Sequence, residues 1–109
     1  MPDAIETADV CVVACAEAFR GDADRVVSPM GTVPRLGALL AKSTFEPDLL
    51  LTDGEARILR DPVPLGAEAD AVTEGWLPFR DVFQVVNAGA RHVMMGASQI
   101  ERHGNQNIS

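Results

Sequence analysis

Apolar residues recur along this chain at two different spacings, and the switches between them mark out its elements. From Thr7 to Arg20 the apolar positions fall at helical spacing, with Val10, Val13, Ala14 and Ala18 forming one stripe. Thr7 is placed to cap this helix, Asp9 sits in its first turn, and Arg20 and Gly21 close it. Asp24-Arg25-Val26-Val27 then reads as a short strand, followed by the loop Ser28-Pro29-Met30-Gly31-Thr32. A second helix is predicted from about Val33 to Lys42, with Leu36, Leu39 and Leu40 on one face and Thr32 as its cap. Pro34 falls in the first turn, where a missing N–H does no harm.

The next stretch organises the rest. Pro47 to Glu55 reads PDLLLTDGE, three consecutive leucines between turn residues. A short run of this kind fits a strand buried on both faces, as in a parallel sheet. Asp53 and Glu55 follow at its C-terminal end, and Gly54 lets the backbone bend between them. Ala56 to Leu59 reads as a second brief strand. From Arg60 to Pro78 the pattern lapses among Pro62, Pro64, Gly66, Gly75 and Pro78, a length typical of lids and exposed excursions. Trp76 is expected to anchor this loop to the core.

A third helix is predicted from about Phe79 to Asn87, with Val82, Phe83 and Val86 inward and Gly89 beyond its end. His92 to Met95 is a further strand, Gly96-Ala97-Ser98 a tight bend, and Gln99 to Glu101 extended. Arg102 to Asn107 is rich in turn formers. The alternation defines an α/β layered domain, a mainly parallel sheet with flanking helices. Ligands in such sheets bind at the carboxyl ends of the strands, so Asp53 and Glu55 are the first candidates for chemistry. The helix start at Gly31-Thr32 offers main-chain N–H groups suited to phosphate, carboxylate or an oxyanion. An ordinary βα turn accounts for the same residues.

Composition narrows this picture. A chain of 109 residues holds one domain, enough to bury roughly 65% of its unfolded surface. The net charge of −7 argues against a nucleic-acid partner, which needs a basic face. Cys11 and Cys15 lie four apart on one helix, a poor geometry for a disulfide and an incomplete zinc set. Reduced thiols, an acidic N-terminus unlike a signal peptide, and no apolar run of about twenty residues point to a cytoplasmic protein without a membrane partner. His92 and His103 lack spaced partners for a metal or a catalytic triad and read as surface residues. The pattern breaks off at Ile108-Ser109, so the expectation is the N-terminal part of a longer subunit.

Three segments carry a family resemblance: SPMGTVPRLGALLA (Ser28 to Ala41), PDLLLTDGEARIL (Pro47 to Leu59) and HVMMGASQIERHGNQNIS (His92 to Ser109). Together they resemble β subunits of the family I coenzyme A transferases, and most of all the steroid-ring-opening hydrolase branch of that family. The GASQIERHGNQN run is the most specific, matching a G-A-x-Q-V/I-D/E-x-x-G-N-x-N pattern.

The resemblance implies a mainly parallel α/β fold, an α subunit as partner in a hetero-oligomer, and an active site between subunits. It implies an acyl-CoA substrate, with coenzyme A entering as part of that substrate and no separate cofactor or metal. In the transferases a glutamate in S-E-N-G attacks the thioester. Thr52-Asp53-Gly54-Glu55 stands in that place here, with Asp53 or Glu55 matching the glutamate according to the side from which the alignment is run. The S-E-N-G motif is absent, and one glycine remains in the loop before the second helix.

These departures agree with the hydrolase branch, where a carboxylate serves as general base toward water or a ring carbon. In that reading Asp53 and Glu55 position water or substrate, and Gly31, Thr32 and Gly54 line the pocket. Gln99 is a further substrate-binding candidate, although it and Asn105 and Asn107 are better suited to bracing loops. A true transferase, and a non-catalytic scaffold or metabolite-binding subunit, are the alternatives.

Overall fold

A computed structural model describes residues 4–53 and 57–107. Helix α1 spans Thr7–Ala18, strand β1 Val26–Pro29 and helix α2 Thr32–Ser43. Strands β2 (Leu50–Thr52), β3 (Arg57–Leu59) and β4 (Thr73–Trp76) follow, then helix α3 (Phe79–Asn87) and strand β5 (Arg91–Met94). Two short strands, β6 (Gln99–Ile100) and β7 (Gln106–Asn107), close a hairpin of their own.

The main sheet runs in the order β4-β3-β2-β1-β5. Its inner strand β1 is parallel to both β2 and β5, the parallel part expected from the LLL run. Strands β3 and β4 extend the sheet in antiparallel fashion. Main-chain bonds from Val26 N–H to the Ala90 carbonyl (2.9 Å) and from Met30 N–H to the Met94 carbonyl (2.8 Å) carry the β1–β5 pairing past both strand ends.

The register divides the sheet into two chemically different faces. Val27 and Leu51 point to one side, where they pack with Ala16 and Phe19 from the α1 side and Ala38 and Ala41 of α2. Leu49 completes this core. The other face carries Val26, Ser28, Leu50, Thr52 and Arg91, because side chains alternate along a strand.

Small residues, not the large apolar ones, set the helix packing. The buried positions of α2 are Gly37, Ala38, Ala41 and Lys42; of the predicted face, Leu39 and Leu40 pack partly buried against the core and Leu36 is exposed. Ala16 is the buried residue of α1; Val10 and Val13 of the predicted stripe face outward, Val10 at 58% exposure. Helix α1 is apolar nearly all round, so its sequence does not mark which flank meets α2.

Both helix caps lie one residue before the expected ones, Thr7 and Thr32. Glu6 precedes α1, its N–H donating to the Asp9 carboxylate at 2.9 Å. Gly31 precedes α2 because the entry needs φ near +100°, a conformation open to glycine and closed to most residues. Lys42 is buried without a carboxylate and donates instead to the carbonyls of Pro47 (3.3 Å) and Leu49 (2.6 Å).

Three further expectations are corrected. Residues 60–78 are not structureless: Glu68–Asp70 form a 3-10 turn and Thr73–Trp76 pair with β3. Trp76 does not anchor the loop; it sits on the sheet's edge strand and is 69% exposed. Helix α3 forms where predicted and packs along β5, yet Phe83 (70% exposed) and Val86 face outward. No helix among the described residues is long and apolar enough to cross a membrane.

Candidate active site at the carboxyl edge of the sheet

Strands β2, β1 and β5 end together, and the residues that follow them are Asp53, Met30-Gly31-Thr32 and Met95. Asp53 holds the turn that joins β2 to β3. Its N–H donates to the Arg57 carbonyl at 2.9 Å, and its Oδ1 accepts from the Arg57 N–H at 3.3 Å. The carboxylate therefore braces its own turn as well as standing at the strand end. Gly54 and Glu55, the other two candidates in this turn, lie outside the described residues.

Beside Asp53, the first turn of α2 is open to solvent: Gly31, Thr32 and Val33 are all exposed. Its leading N–H groups have no partner within the helix by construction, which makes this end a donor surface for negative charge. The Gly31 carbonyl is engaged, accepting from the Arg35 N–H at 3.1 Å. Exposed Met30, Leu36 and Met95 surround this rim with apolar surface.

Two arginines strap the following loop across the edge. Arg35 of α2 donates from Nη1 to the Asp53 carbonyl (3.0 Å) and pairs through Nη2 with the half-buried Glu68 carboxylate. Arg57 donates from Nε to Thr73 Oγ1 (2.9 Å), from Nη1 to the Glu68 carbonyl (3.1 Å) and from Nη2 to the Ala71 carbonyl (3.0 Å). The loop is thus tied to the sheet by charge-assisted bonds to its main chain.

Behind the turn, a buried polar chain crosses three strands. Ser28 Oγ accepts from Arg91 Nε at 2.8 Å and from the Thr52 hydroxyl at 3.1 Å. Ser28 is fully buried and Thr52 is 1% exposed. Burial holds the Arg91 guanidinium below its usual pKa, since the charged form loses water there. Sequence reading passed over this chain, whose one visible signal is a serine between valines and a proline in strand β1.

Gln99 is not a residue of the main sheet. It belongs to the β6–β7 hairpin, where its Oε1 accepts from Asn107 Nδ2 at 3.0 Å. With Glu101, Asn105, Gln106 and Asn107 it lines an open hollow of about 280 Å³. The Glu101 carboxylate accepts from the Asn105 side chain at 2.8 Å and from the main chain at His103 (2.8 Å) and Asn105 (3.2 Å). Gln99, Asn105 and Asn107 therefore brace this hairpin.

His92 departs from its surface reading. Its Nδ1 meets the Asp22 carboxylate, and its ring meets Phe19 edge-on with centroids 4.8 Å apart. Asp22 also accepts from Arg25 Nη1 at 3.2 Å. Asp22 precedes β1 and His92 lies early in β5, so the pair closes the opposite, amino edge of the sheet. Among the described residues no group of three or more His, Cys, Asp or Glu could hold a metal.

A half-parallel α/β sheet with carboxylate, helix N-terminus and strapped loop on its carboxyl edge has the layout of an enzyme subunit of the layered α/β class. Comparison with known proteins makes this specific. The chain is 55% identical over 105 residues to the cholesterol ring-cleaving hydrolase IpdB subunit of Rhodococcus jostii strain RHA1, covering 96% of this chain and 41% of that protein. It is 53% identical over 103 residues to the IpdB subunit of Mycobacterium tuberculosis strain H37Rv, covering 94% and 41%.

The crystal structure of Rhodococcus jostii RHA1 IpdAB matches with a TM-score of 0.85 and 54% identity, covering 98% of this chain and 42% of that one. No family model matches the chain. The chain is a close homologue of the IpdB subunits of cholesterol ring-cleaving hydrolases. It spans about two-fifths of the length of these relatives.

Proposed function

We propose that this chain acts as the IpdB-type part of a heteromeric hydrolase that opens the last steroid rings, cleaving a carbon–carbon bond in a cyclic keto acyl-CoA. The observation that carries this reading is the 55% identity, maintained over 96% of the chain, with a cholesterol ring-cleaving hydrolase subunit. An IpdA-type subunit is the partner, and the site is shared between the two. The chain corresponds to the N-terminal part of a longer subunit, and the unpaired thiols Cys11 and Cys15 suit a reducing cytoplasm.

The chemistry needed is hydrolytic. Hydroxide from water adds to a ring carbonyl, the adjacent carbon–carbon bond breaks, and the electron pair leaves as an enolate. That enolate takes a proton at carbon, while the former carbonyl becomes a carboxylic acid. A carboxylate at Asp53 or Glu55 draws the proton from water. The open N–H groups that follow Gly31, beginning with Thr32, face the developing negative charge. Gln99 contributes by holding its hairpin in place. Coenzyme A enters as the substrate's handle.

Neither Asp53 nor Glu55 forms a bond to the thioester carbon in this mechanism, which separates it from a CoA transferase. Trapping with acyl-CoA followed by mass spectrometry should leave both Asp53 and Glu55 unmodified while turnover proceeds. A CoA or acyl adduct on either carboxylate would move the protein to the transferase reading. Replacing Asp53 by Asn or Glu55 by Gln should lower kcat by about 100-fold for whichever carboxylate is the base. If both variants keep wild-type turnover, this chain is a scaffold and the base belongs to the partner.

A further inference from the structure

We propose that Arg91 is a positioning residue for Asp53 at the end of β2, acting through Ser28 on Thr52. The register makes the reach visible. Arg91 stands opposite Val26 on β1, yet its Nε bonds to Ser28, two positions further along that strand. The side chain therefore leans by about 7 Å toward the carboxyl edge. Ser28 in turn receives the Thr52 hydroxyl from β2, and Thr52 is the residue directly before Asp53.

All three side chains lie on the same face, so one cation clamps three parallel strands behind the candidate site. A guanidinium half-buried in a sheet face is costly, and such groups are concentrated where charge is used. Here the charge sits in a chain of net charge −7, on the strand face whose neighbouring strand ends at Asp53. Arginine's rigid fork also fixes direction, which a lysine reproduces only in charge. The consequence for catalysis rests on the hydrolase reading above; the mechanical linkage to Thr52 does not.

Two measurements on the whole protein separate these parts. Hydrogen exchange is followed at the amides of residues 51–53 in wild type, R91Q, R91K and S28A. R91Q and S28A should exchange about 10-fold faster there, with α1 and α2 unchanged and R91K intermediate. Unchanged exchange at these amides in R91Q and S28A overturns the linkage.

In the assembled enzyme, R91Q should lower kcat by about 10- to 100-fold with KM within about 3-fold, and R91K should recover part of the loss. Faster exchange with full kcat in R91Q overturns the positioning role and leaves Arg91 a brace of the sheet. An assembled wild type that fails to turn over any ring-bearing CoA ester defeats the hydrolase reading, while the exchange data still decide the linkage. If R91Q does not fold, S28A carries the exchange test and R91K the kinetic one.

Discussion

Gly37 of α2 lies directly against Cys15 of α1, where the two helices pass too closely for a side chain between them. A Cβ at Gly37 would collide with the Cys15 Cβ and come within 3.0 Å of the Ala16 nitrogen and 3.1 Å of the Val12 carbonyl oxygen. Two of these neighbours are main-chain atoms and cannot rotate away. G37A is expected to cost about 2–3 kcal/mol through overpacking, read as a lower urea midpoint at unchanged slope. Gly96 is the control, since a Cβ there meets nothing within 4 Å. G96A should stay within about 0.5 kcal/mol of wild type.

The strap over the carboxyl edge gives a second expectation. Arg57 donates to one side chain and two main-chain carbonyls of the loop after β3. R57A removes all three bonds and should open residues 60–72 to limited proteolysis, with a stability loss of about 2 kcal/mol. R57K should remain cleavable, because a single ammonium cannot span Thr73, Glu68 and Ala71 at once. Protection of the loop in R57A would mean that β3–β4 pairing alone holds it.

At the amino edge, Asp22 joins Arg25 and His92, partners separated from one another by most of the chain. Its side chain is largely buried, and truncation takes this partner from His92 while Arg25 keeps Asp24. D22A should lose about 1–3 kcal/mol, and D22N less, as an amide oxygen still accepts one bond. Thermal melts of the two variants compare them directly.

Much of this fold was legible in the sequence. The LLL run, the glycine before α2 and the punctuation around α3 located three helices and the parallel strands correctly. What misled was the choice of flank. Val10, Val13 and Phe83 have the spacing and size of core residues, but the helix contact is made by Gly37, Ala38 and Ala16, whose smallness brings backbones together. Strand β4 escaped notice because Thr73-Glu74-Gly75-Trp76 lacks alternation and is held by pairing with a non-local partner. The place of Asp53 at a strand end could be read from the end of an apolar run. The Arg91–Ser28–Thr52 chain could not, since it exists only once the register of three strands is known. The Asp22–His92 pair is hidden for the same reason, its members standing 70 residues apart.

One exposed pair has a sign that titration can check. Arg20 donates two hydrogen bonds to Glu17, each 2.8 Å, and these bonds hold the Glu17 carboxyl below its usual range. A lowered carboxyl pKa stabilises the fold above the unfolded value, and the contribution is lost as pH falls through the folded value. Both side chains are solvent-exposed, so screening keeps the effect on stability small. NMR titration of R20A should return Glu17 upward toward an ordinary glutamate; an unmoved titration would show that the pair is not populated in solution.

Turnover by the assembled protein tests the functional reading most directly. The chain is co-expressed with an IpdA-type subunit, purified as a complex and assayed on ring-bearing CoA esters. Stable assembly with loss of the ring chromophore, no transfer of coenzyme A to an added acid, and a kcat reduced about 100-fold in D53N or E55Q is the expected result. A stable complex that leaves the ring intact, or that moves coenzyme A between acids instead, would contradict it.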